Sequence, residues 1–317
     1  MAGAHLLSGF LPSADPGVTM KRLVRTPWPV VAAFILPSLL GFALFVVAPI
    51  AMAFAISLTN FSGGPRFRFV GLANYLLAFS NDKFLGALAT TFIFTSWTVA
   101  LQLVLGLAFA LLLNDKLLGR NFFRGVIFLP NVLSSVAVSL AFMLILDPKR
   151  GPLNMVIRSL GIRAPLWLGS EKSSLATIIL VTVWQSFGYY MVLFLGGLQT
   201  ISRSLYEAAA IDGAGSVRRF LSITLPGLSP IMFYSITIAI IRAFQVFDQI
   251  YIMTGGQAGG GPAGSTSVLV FDIYKNGFSL FRFGYAAAES VTLLAIVLMV
   301  TLIQQRGQKK WVNYDVV

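Results

Sequence analysis

The sequence predicts an all-α polytopic membrane protein with six transmembrane helices, and three observations carry that prediction. Hydrophobic residues make up 57% of the 317 and charged ones only 11%, a balance that water-soluble domains rarely show. The apolar residues gather into runs long enough to cross a bilayer, which takes about 20 residues. Cysteine is absent, so the fold is held by packing, with neither a disulfide framework nor a thiolate metal site. The formal net charge of +12 would suit nucleic acid, but no basic, aromatic-interleaved soluble segment exists to bind it. Lys and Arg are spread through the loops instead, as headgroup-facing charges are.

Taken in order, residues 1–29 form a tail carrying Lys21, Arg22 and Arg25 just before the first span. The run Ala2 to Leu11 has no basic residue before it and is interrupted by His5, so it reads poorly as a signal peptide. Met20-Lys-Arg-Leu-Val-Arg25 reads as a second plausible start. His5 is the lone histidine and suits a solvated tail better than a metal site.

The membrane domain covers residues 30–304. Its first span, 30–58, carries no charge but contains Pro37 and Pro49, each of which removes a backbone donor and should bend the helix. Gly63-Gly64-Pro65 turns the first outer loop, and the second span covers 84–113. There Gly106 and Ala110 offer a small-xxx-small patch for close helix contact. A short basic loop with Lys116, Arg120 and Arg124 leads to the third span, 125–146, which contains Pro130. After an outer loop the fourth span, 173–198, has an unusual middle, Trp184-Gln185-Ser186-Phe187-Gly188-Tyr189-Tyr190. The fifth ends near Phe247 and the sixth covers 284–303, followed by a basic tail, 305–317.

Between the fourth and fifth spans lies a polar island, 201–226. Glu207 to Ala210 favours helix, Gly213 and Gly215 should break it, and Pro226 opens the next apolar run at a position where its missing N–H costs little. A short helix, a glycine turn and a second short helix are expected, with one face nearly free of side-chain bulk.

Glu207-Ala208-Ala209 with Gly213 beyond, followed by Ile223, Leu225 and Pro226, resembles the EAA loop of binding-protein-dependent ABC importer permeases. Asn121-Phe-Phe-Arg-Gly125, Leu129-Pro130, Phe244 with Phe247-Asp248 and Ile250-Tyr251, Thr254-Gly255-Gly256 and Phe283-Gly284-Tyr285-Ala286-Ala287-Ala288 fit the same family. They resemble its carbohydrate and glycerol-3-phosphate branch, the maltose-permease type, over residues 30–305. The usual Gly-Gly-Pro after the fifth span is stretched here to 255–262, a departure in the outer loop. The resemblance implies a cytoplasmic coupling loop, with Glu207, Ala208, Ala209, Asp212, Gly213 and Gly215 seated against an ATPase subunit. It places both termini in the cytoplasm of a bacterial or archaeal cell. Charge counting alone does not fix this, because Lys and Arg are nearly balanced between the two sides. The implied assembly is this chain, a homologous permease, two ATPase subunits and an extracytoplasmic solute-binding protein, all within membrane lipid. ATP and magnesium would belong to the ATPase partner, none being bound by this chain.

Residues within spans suggest where cargo passes. Arg242 and Gln245 fall on one helix face, as do Gln185 and Tyr189, and Asp248 lies near the end of the fifth span. Amide and aromatic groups together suit a sugar: hydrogen bonds for its hydroxyls and a flat apolar surface for its C–H face. Arg242 and Glu289 are costly in a bilayer, about 2.5–3.5 kcal/mol each on insertion scales. They should face a cavity or a partner, and Arg242 pairing with Glu289 or Asp248 is the plain structural alternative. Interfacial or core packing is the alternative for Tyr189 and Tyr190.

Several patterns mislead. Gly259-x-Gly261-x-x-Gly264 spells a dinucleotide fingerprint, but in a loop with neither strand nor βαβ unit. No G-x-x-x-x-G-K-[ST] occurs, so any ATP must come on a partner. Neither a catalytic nor a metal-binding constellation appears at usable spacing. Rival readings are a glycerol-phosphate or phosphodiester cargo met by Arg242, a secondary transporter or channel, which would need repeats or an ion relay, and a membrane enzyme.

Overall fold

A computed structural model describes residues 28–115, 118–256 and 259–312. Most of the N-terminal tail, Lys116, Gln257-Ala258 of the stretched loop and residues 313–317 lie outside these. The chain divides into two compact units at Met52 and Ala53. The first holds the greater part of α1 (Trp28–Ser57), a helix that buries none of its own residues before Ser57. Pro37 stands inside it. Ahead of Pro49 the ladder widens into a π turn, Ala43–Val47, where the Ala48 N–H bonds the Ala43 carbonyl.

The second unit contains α2 (Ala73–Phe79), α3 (Asp82–Asn114), α4 (Arg120–Val132), α5 (Ser135–Ile145), α6 (Pro152–Ser159), α7 (Glu171–Thr200), α8 (Arg203–Ile211), α9 (Ser216–Gly227), α10 (Ser229–Phe244), α11 (Asp248–Met253), α12 (Leu269–Tyr274) and α13 (Phe283–Trp311). Four helices among the described residues, α1, α3, α7 and α13, are long and apolar enough to cross a membrane unbroken. The third and fifth expected spans are instead bent pairs: α4 and α5 meet at 96°, α9 and α10 at 66°. Six spans result if each pair counts as one.

Both bends have local causes. At the first, Leu133 and Ser134 take extended backbone angles just after Pro130. At the second, Pro230 has no N–H to offer the Pro226 carbonyl, and the Ser229 hydroxyl donates to that carbonyl instead, at 2.7 Å. This corrects the expectation for Pro226. It lies within α9, behind a π turn (Phe220–Thr224) in which the Leu225 N–H bonds Phe220; Pro230 is the first-turn proline. The fifth span also stops earlier than expected, at Phe244, and α13 continues into the expected C-terminal tail as far as Trp311.

The centre of this unit is α7. Its Tyr190, Met191, Phe194 and Leu198 are buried with Ala110 and Leu113 of α3 and with Ala239 of α10. Nearer its start, Ile178, Ile179 and Val183 are buried with Phe94, Val138, Ile250 and Phe271. Lipid tails are as apolar as leucine, so close fit rather than the hydrophobic effect holds such helices together. Gly106 supplies that fit as expected: a Cβ there would stand 2.9 Å from the Tyr190 Cβ and 3.1 Å from the Met191 nitrogen. The carbonyl of Leu113 at the end of α3 accepts from the Arg124 guanidinium at 2.6 Å, a cation placed at the negative helix end.

Candidate functional site

The 201–226 island forms the expected helix–turn–helix. Helix α8 ends in a Schellman motif: the Ala214 N–H bonds the Ala209 carbonyl at 2.9 Å and the Gly213 N–H bonds Ala210 at 3.2 Å. That geometry requires a left-handed residue at the second position past the helix, and Gly213 has φ +73°. The spacing of Glu207-Ala208-Ala209 to Gly213 is therefore a backbone requirement, with Asp212 as the C-cap. Gly215 differs: at φ −68°, ψ 168° it is ordinary extended chain leading into α9. Glu207, Ala208, Asp212, Gly213 and Gly215 are exposed and Ala209 is half-buried. Beside them Ile211 and Val217 stand 87% and 73% exposed, an apolar rim around a face of small residues. A hydrogen bond of 2.9 Å between the Tyr206 and Thr224 hydroxyls braces α8 against α9.

At the level of the α4–α5 bend, a cavity of about 380 Å³ opens among α3, α7 and the end of α10. Gln185, Arg242, Gln245 and Asp248 all line it. Tyr189 does not; its neighbour Tyr190 does, while the Tyr189 ring lies under the Arg242 guanidinium, 4.6 Å from its centroid. Gln185 is the keystone. Its amide donates to the Leu133 carbonyl at 3.1 Å, a group freed by the helix break, and its oxygen accepts from Gln249 at 3.2 Å. Across from it the Ser186 hydroxyl donates to Gln102 at 2.9 Å.

Thr98, Gln102 and Gln249 were not singled out from sequence, and Ser186 only as part of the unusual middle of the fourth span. A signal did exist on α3: Thr91, Thr95, Thr98 and Gln102 recur at helical spacing in an apolar span, and all four are buried. Glu289 takes no part in the cavity. It is fully buried in α13, with both carboxylate oxygens accepting from Asn276 at 3.1 Å, so the pairing of Arg242 with Glu289 is replaced by two separate arrangements. No metal-binding cluster of His, Cys, Asp or Glu occurs among the described residues.

Apolar spans packed around a polar cavity are what a membrane transport protein requires. Residues 102–312 match the binding-protein-dependent transport system inner membrane component, and the chain belongs to that family. It is similar to the trehalose/maltose transport system permease protein MalF of Thermococcus litoralis, 36% identical over 270 residues, covering 85% of this chain and 90% of that one. It is 32% identical over 284 residues to the sn-glycerol-3-phosphate transport system permease protein UgpA of Yersinia pestis, covering 89% and 94%. A crystallised bacterial alginate ABC transporter, in complex with an alginate pentasaccharide-bound periplasmic protein, has a chain of the same fold, with TM-score 0.77, 21% identity, and 89% and 94% of the chains covered.

Proposed function

We propose that this chain is the membrane-spanning subunit of an ATP-driven importer that carries a neutral sugar or oligosaccharide handed over by an extracytoplasmic binding protein. The observation that carries this reading is the cavity: its wall is mostly amide and hydroxyl, with Gln102, Gln185, Gln245 and Gln249 beside Thr98 and Ser186. Sugars offer hydroxyls to such groups. Its charges, Arg242 and Asp248, balance rather than favour an anion. A homologous permease encloses the other half of the path, and two ATPase subunits supply the nucleotide chemistry, with ATP and magnesium on them alone. The loop bearing Glu207, Ala208, Ala209, Asp212, Gly213 and Gly215 faces the cytoplasm with both termini. It passes ATPase closure to the spans through α8 and α9, the bent start of the fifth span.

The family's presence in glycerol-phosphate systems supports one second reading, with Arg242 leaving the Tyr189 ring to meet a phosphate. Uptake of labelled maltose, trehalose and sn-glycerol 3-phosphate by the assembled importer separates the two. The sugar reading expects sugar uptake to survive Arg242→Gln; uptake confined to glycerol phosphate, and lost in that variant, contradicts it.

A further inference from the structure

The arm between the third and fourth spans exposes apolar and cationic side chains together. Helix α6 buries one of its polar residues: Asn154 is 0% exposed, donates to the Asp147 carbonyl at 3.0 Å and accepts from the Trp167 indole at 2.8 Å. Met155 and Val156 of the helix are 54% and 58% exposed, and just past its end Leu160 is 69% exposed, with Ile162 and Leu166 exposed beyond it. Lys149, Arg150, Arg158 and Arg163 are exposed along the same stretch. Its one acid is already satisfied, because Asp147 accepts from the Arg150 and Lys149 N–H groups at 2.7 and 2.9 Å. Those donors hold its carboxyl below the usual carboxylate range. The Arg158 guanidinium is itself steadied on the Pro148 carbonyl.

We propose that residues 148–166 lie in the headgroup layer of the membrane face opposite the 203–219 loop and bind anionic phospholipid there. Two observations choose lipid. Helix α5, with Leu140, Leu144 and Ile145 exposed, ends at Ile145 just before the arm, so the arm begins where the apolar outer surface of a span stops. The cations then sit where headgroups begin, and a short apolar face edged by Lys and Arg is what binds an anionic interface. The 30-residue α7 separates this arm from the 203–219 loop, which fixes the opposite face. Nothing in the proposal depends on the cargo.

The chain has no cysteine, so Met155→Cys or Leu160→Cys gives one attachment point for a fluorescent bimane. The full chain, labelled there, is reconstituted into phosphatidylcholine vesicles with and without phosphatidylglycerol. A lipid nitroxide placed just below the headgroups is compared with aqueous iodide as quencher. The expected result is loss of most of the emission to the lipid nitroxide when phosphatidylglycerol is present, and markedly less without it. An Arg150→Gln/Arg158→Gln/Arg163→Gln variant should erase that difference. Quenching by iodide in both vesicles would overturn the proposal, as would protection from both quenchers, which would mean a protein covers the face. Equal lipid quenching with and without phosphatidylglycerol would also overturn it.

Discussion

At the scale of single residues, Gly213 closes the turn between α8 and α9. Its φ of +73° costs an ordinary residue about 1–2 kcal/mol, and no atom lies within 4 Å of where its Cβ would be. Within this chain, strain rather than collision is therefore the obstacle to substitution. Gly213→Val should still yield an inserted chain but uncouple ATP hydrolysis from import, whereas Gly213→Asn, which tolerates the left-handed region, should keep most of the coupling. Paired ATPase and uptake assays on the reconstituted importer read this out. Equal loss in both variants would mean that a partner's surface, not the helix cap, demands glycine. Gln185 gives a second test. Gln185→Leu strips the Leu133 carbonyl and Gln249 of their partner, which should cost about 1–3 kcal/mol and weaken uptake. A thermal melt in detergent checks the first effect; an unchanged melt would deny Gln185 its keystone role.

Among the elements, the pair of α3 and α7 carries the packing. Gly106→Val puts a branched side chain against the Tyr190 Cβ and Met191 backbone and should destabilise by about 1–3 kcal/mol, seen as a lowered melting midpoint; an unaltered midpoint would mean the helices can part there freely. That contact was legible in the sequence because small residues four apart in a span have few other purposes. The spans themselves were legible from hydropathy, and α8, its turn and the start of α9 from residue types alone, but not the run of α9 through Pro226. The bends were not. Pro130 and Pro226 both lie inside their helices, Pro226 behind a π turn, and the second bend is set by Ser229 and Pro230, three and four residues beyond Pro226. Only part of the cavity was legible, for a related reason. Charged and amide residues in the fourth and fifth spans stand out, whereas Thr98 shows only as one step of a helical repeat until the fold places it in one cavity with Gln185. Tyr189 could not be told from Tyr190, since neighbours on a helix differ by only about 100°.

At the scale of the whole molecule, one bent span separates the polar chamber from the small-residue loop. The chamber's floor is the α4–α5 bend and its edge is the end of α10, while α9 and α10 link that edge back to the loop through a 66° bend. Movement of the loop would thus change the angle of a jointed span rather than slide a rigid rod. A single Ala209→Cys on this cysteine-free chain tests the claim most directly, with a short bifunctional cross-linker applied to the assembled importer. The account predicts a cross-link to a nucleotide-hydrolysing subunit whose yield changes between ATP-bound and nucleotide-free states. Labelling of that cysteine by a membrane-impermeant thiol reagent in intact cells, with no cross-link to such a subunit, would contradict it.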